Sequence, residues 1–97
     1  MSSDGKFNAL IVLLDDSDHT FNCTELGQAL ESIGCRIKDC KTKSHKQVFH
    51  DHVPKFHSAS YNCGHGKNPE IKTSYIRNLS SYLKSLESEI KEYLGEE

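Results

Sequence analysis

The stretch Asn8-Ala9-Leu10-Ile11-Val12-Leu13-Leu14, cut off by Asp15-Asp16-Ser17-Asp18, decides the fold. The run from Ala9 to Leu14 is continuously apolar and rich in branched side chains, and it reads as a buried central strand. A strand that is apolar on both faces needs cover on each side. That requirement favours a sheet with helices on both faces over a half-exposed hairpin.

Working outward, Thr20 or Asp18 can cap a helix whose apolar positions Cys23, Leu26, Ala29, Leu30 and Ile33 follow helical spacing, and Gly34 closes it as a left-handed stop. Residues 35–40 alternate like a second strand, and strand, helix and strand in that order make parallel pairing through a right-handed crossover the default. Ser44 then opens a short helix through Val48, Phe49 and His52, which must end near Val53 because Pro54 disfavours helical geometry before it. Residues 56–63 form a third strand with Ala59, Tyr61 and Cys63 on one face. Asn68-Pro69-Glu70 opens a long amphipathic helix over 68–95, stopped by Gly95. The expected class is α/β or α+β: a β-α-β start, a small mostly parallel sheet and a C-terminal helix ~39 Å long, part of which would project.

Ninety-seven residues suit one domain over 1–97, with 1–6 disordered. The chain is 35% hydrophobic and 27% charged with a formal net charge of -2, an ordinary folded composition. No stretch approaches a membrane span, and the opening residues lack the features of an export signal, which points to an intracellular protein, cytoplasmic or nuclear. In that setting Cys23, Cys35, Cys40 and Cys63 are expected as free thiols or metal ligands, and the sequons at Asn22 and Asn78 go unused. Residues 41–67 carry five lysines against Asp51 alone, too slight a basic excess for a nucleic-acid surface.

Five histidines fall between His45 and His65, flanked by cysteines, and thiolate with imidazole is the donor set zinc prefers. Cys35, Cys40, Cys63 and His65 form the candidate structural zinc site, with no other cofactor expected. After the apolar run, Asp16-Ser17-Asp18-His19-Thr20 matches D-x-D-x-T and resembles the nucleophile motif of haloacid-dehalogenase-like phosphatases. That resemblance implies Asp16 as nucleophile and Asp18 as acid and base around magnesium, although no later lysine strand or second acidic pair completes the machinery.

A further resemblance covers more of the chain. Residues 9–14, then Leu26 to Ile37 (LGQALESIGCRI), then Tyr61-Asn62-Cys63-Gly64-His65-Gly66 resemble the landmarks of caspase-like cysteine proteases in their order. His65 would match that family's catalytic histidine. No cysteine follows it, so the resemblance implies an inactive regulatory domain.

In the last helix Ile76, Leu79, Leu83, Leu86 and Ile90 recur at a and d spacing. They are the candidate interaction residues for a homodimer seam, or else the stripe that packs on the domain's own sheet. The combined expectation is a non-enzymatic protein-interaction or adaptor module with a protein partner.

Overall fold

The computed structural model describes residues 5–41, 44–64 and 69–96. The apolar run is a helix, α1 (Lys6–Asp15), not a strand. Phe7, Leu10 and Leu14 are buried with Ile11 beside them, while Val12 and Leu13 are 67% and 38% exposed. That is the 3.6-residue period, which a short apolar run conceals because it satisfies either template. Distant residues secure the helix: the Glu96 carboxylate accepts from the Lys6 and Phe7 amides at 2.8 and 3.4 Å.

Helix α2 (Cys23–Glu31) follows, capped by Asn22 and not by Thr20 or Asp18. The Asn22 side chain accepts from the Glu25 amide at 2.8 Å. Gly34 takes the left-handed conformation expected of it (φ 94°), and a Cβ there would meet the Tyr93 ring at 2.5 Å.

Strand β1 (Cys35–Asp39) lies where alternation put it. The expected helix after Ser44 is instead strand β2 (His45–His50), and β3 (Ala59–Asn62) completes the sheet. Order is β1-β2-β3 and both pairings are antiparallel, with Cys35 opposite His50 and Lys46 opposite Tyr61. With α1 in place of the expected first strand there is no crossover among the described residues, and β1 and β2 pair antiparallel as consecutive strands. The class is therefore α+β, and the mostly parallel arrangement is corrected.

One face of the sheet, carrying Cys35, Val48, His50 and Tyr61, is buried under the helices. The other is open, as antiparallel sheets allow. There the Arg36 guanidinium lies 5.3 Å over the Phe49 ring and grips the Asp51 carboxylate from Nε and Nη2.

The C-terminal segment departs from a single helix over 68–95. Residues 70 and 71 run extended beside Asn22 and Phe21, and α3 spans Thr73–Ser85. The chain breaks at Leu86 (φ -115°, ψ 20°) before α4 (Glu87–Leu94), which Gly95 ends in the left-handed region as expected. The break folds α4 back toward α1 and removes the expected projection. Ile76, Leu79, Leu83, Leu86 and Ile90 are all buried in the domain's own core. Among the described residues no helix is long and apolar enough to cross a membrane. Of the expected disorder over 1–6, residues 1–4 lie outside the described set and Lys6 opens α1.

Cys23 and Cys63 are joined in a disulfide, which corrects their expected free state. The fold brings the start of α2 to the end of β3 with the two Cα atoms 5.2 Å apart across 40 residues of sequence. No local pattern signals such a pairing.

Two outcomes follow for stability. Leu83 is fully buried, so Leu83→Asp should cost more than about 4 kcal/mol and abolish the cooperative thermal transition seen by circular dichroism. Replacing Cys23 and Cys63 together by serine opens a loop whose closure contributes up to about 4 kcal/mol. Urea unfolding should show that loss with the far-ultraviolet spectrum retained.

Candidate functional site

A groove of about 600 Å³ lies between the α1–α2 loop and α3. Its floor is apolar: Leu14, Phe21, Ile71 and Ile76, each nearly buried. Its walls are polar and include Ser17, Thr20, Thr73, Arg77 and Ser81.

The loop wall is shaped by a side-chain turn. The Asp16 carboxylate accepts from the Asp18 amide at 2.9 Å, and the Asp16 carbonyl accepts from the His19 amide at 3.1 Å. This is the local bonding that makes aspartate a turn former. His19 Nε2 then meets Glu25 at 2.9 Å while its ring stands edge-on to Phe21 at 4.6 Å.

A second set of contacts pins the end of α1 to α3. Ser80, buried, donates its hydroxyl to Asp15 at 2.6 Å, and Lys84 pairs with the same carboxylate at 2.7 Å. Lys84 and then Ser80 hold the Asp15 carboxyl below the usual carboxylate range. Arg77, one helical turn before Ser80 and Ser81, has no hydrogen-bond or ion-pair partner among the described residues. The Thr73 and Ser81 hydroxyls are likewise unspent.

Of the residues singled out from sequence, Asp16 reaches the groove rim but its side chain is committed to the turn. Asp18 contributes its backbone amide to that turn. Among the described residues the proposed zinc ligands Cys35, Cys40 and Cys63 form no metal-holding group. Cys63 is bonded to Cys23. Cys35 opens β1 and Cys40 lies just past its end, five positions on, a span of ~16 Å at the rise of an extended strand. His65 lies outside the described residues. No group of three or more His, Cys, Asp or Glu side chains among the described residues is placed to hold a metal ion.

The histidines near the hairpin have structural partners. His50 is buried; its Nε2 lies 3.0 Å from the Ile33 carbonyl and its Nδ1 accepts from the His52 amide at 3.2 Å. The two contacts are met together when Nε2 donates and Nδ1 accepts. His50 and His52 also pack on Tyr93, with ring centroids 4.7 and 5.1 Å away. The groove residues Asp15, Ser80 and Arg77 escaped the sequence reading: Asp15 and Ser80 are 65 positions apart, and Arg77 looks like any solvated helix residue.

Thiol chemistry checks this placement. Burial pushes the Cys35 thiol up to about 12, whereas Cys40 is half-exposed. Maleimide should label the native protein at Cys40 alone, Cys35 reacting only after unfolding, and added zinc should not slow the reaction. Peptide mapping that found Cys35 labelled at the rate of Cys40, or zinc protection of Cys40, would contradict it.

The residues of the caspase-like resemblance fall in α1, in α2 and β1, and at the end of β3, with His65 and Gly66 outside the described residues. No family model, curated protein or solved structure matches the chain.

Proposed function

We propose that this chain is a non-enzymatic protein-binding module that takes an extended acidic peptide segment in the groove between the α1–α2 loop and α3. The observation that carries the reading is Arg77: a guanidinium with no hydrogen-bond or ion-pair partner among the described residues, on the wall of a groove with an apolar floor. A planar fork of donors suits a carboxylate, and such charge-assisted bonds are the strong ones. Thr73 and Ser81 add hydroxyls able to bond a peptide backbone, while Leu14, Phe21, Ile71 and Ile76 offer apolar area below.

Groups that could do chemistry nearby are already engaged. Asp15 holds Ser80 and Lys84, Asp16 holds its own turn, and His19 holds Glu25. Ser80 donates its hydroxyl to the Asp15 carboxylate and, among the described residues, makes no hydrogen bond to an imidazole, the base such a nucleophile uses.

A random peptide library displayed on phage tests the reading. Selected peptides should share an acidic residue, and Arg77→Glu should weaken their binding by about tenfold or more while leaving the melting temperature unchanged. Enrichment of nothing, or of peptides indifferent to Arg77→Glu, would discard it. Hydrolysis of a chromogenic phosphate ester with magnesium, lost in Asp16→Asn, would replace it with phosphatase-like chemistry at Asp16 and Asp18.

A further inference from the structure

Helix α1 leaves an unused apolar face. On α1, Lys6, Ala9 and Leu13 follow one another at spacings of three and four on the side away from the core, and Asp16, the C-cap just past the helix in extended backbone, comes three positions further on. All four are exposed, and so is Val12 beside them. At one end stands Lys6, whose ammonium has no ion-pair partner among the described residues; at the other stands Asp16, also without one.

We infer that this face binds a second copy of the same chain, with the two α1 helices antiparallel about a two-fold axis near Ile11. Under that symmetry position i meets position 22 minus i, so Lys6 faces the partner's Asp16 and Ala9 faces the partner's Leu13. Each stripe residue then meets another stripe residue. Small opposite large lets the backbones approach, and each end closes with a pair of opposite charges. A parallel pair would set Lys6 against Lys6 and Asp16 against Asp16, and would align the helix dipoles unfavourably.

The other candidate for self-pairing is the free edge of β1, and its charges oppose it. Antiparallel pairing about Ile37 would put Arg36 opposite the partner's Lys38, a like-charge contact of the kind that guards sheet edges.

Helix α1 has 10 residues and is therefore about 15 Å long. The seam falls short of the ~800 Å² per partner of a permanent complex, so the pair exchanges and depends on concentration. Its apolar contacts do not rest on the peptide reading of the groove, since Ala9, Val12 and Leu13 do not line it; Asp16 alone belongs to both surfaces.

Sedimentation equilibrium on the full chain tests the inference. Cys40→Ser should serve as background, without reductant, so that the Cys23–Cys63 bond stays closed and no covalent dimer forms through Cys40. The parent should move from monomer toward dimer across a series reaching about 1 mM. Leu13→Glu, at an exposed position, should remain monomeric throughout with an unchanged circular-dichroism melt. Lys6→Glu and Asp16→Lys should each weaken association by roughly tenfold, because each creates two like-charge contacts per dimer. Mixed at equal concentration, those two variants should regain the parent's association, since the heterodimer restores an opposite pair at each end. A parent monomeric over the whole series, a Leu13→Glu chain that still dimerises, or a mixture no stronger than its components would overturn the inference.

Discussion

Three consecutive residues hold together parts of the chain that are distant in sequence. The Phe21 carbonyl accepts from the Ile71 amide at 2.7 Å, Asn22 bridges to Glu70, and Cys23 is bonded to Cys63. Asn22 also caps α2. This clasp fixes the start of α2, the end of β3 and the approach to α3 at one point. Phe21 and Ile71, its two sides, are also two of the four apolar residues in the groove floor. The groove therefore exists because the clasp is closed.

The orientation of α1 follows from contacts at its two ends. Glu96 satisfies orphan amides at the N-terminus, where a carboxylate also suits the helix dipole. Asp15 takes Ser80 and Lys84 at the other end. Lys84 and Asp15 are both about half-exposed, so solvent screens the ion pair and little stability comes from it. The Ser80 hydroxyl is buried, and losing its acceptor would leave an unsatisfied donor. With both ends fixed, Phe7, Leu10 and Leu14 must face inward and Val12 and Leu13 outward. The exposed stripe is thus enforced by the packing of the rest.

What the sequence made legible was local. Alternation placed β1 and the inward side of β3, and Gly34 and Gly95 marked the stops they form, because a left-handed residue is a property of its own backbone. What it concealed was decided by distant partners. The run over residues 8–14 suits strand and helix equally until Glu96 and α3 arrive to take its ends and face. His45 to His50 has weak patterning in either period and becomes a strand because β1 and β3 lie on both sides of it. The disulfide and the Asp15–Ser80 bond span 40 and 65 positions. Of the groove, Asp16, Thr20 and Ile76 stood out, each for another reason: Asp16 as a motif nucleophile, Thr20 as a helix cap and Ile76 as part of an interaction stripe.

Asp16 belongs to two surfaces at once. It lines the groove rim and ends the α1 stripe, one turn past Val12 and Leu13. In an antiparallel α1 pair its charge would be met by the partner's Lys6, so a negative residue would be neutralised on the groove that Arg77 also lines. An acidic segment in the groove would then face less repulsion in the dimer than in the monomer. Thermodynamic linkage makes such an effect reciprocal: whatever dimerisation adds to peptide affinity, the peptide must add to dimerisation by the same factor. A small domain with one weakly self-associating helix could in this way present two adjacent grooves only where its concentration, or its ligand's, is high.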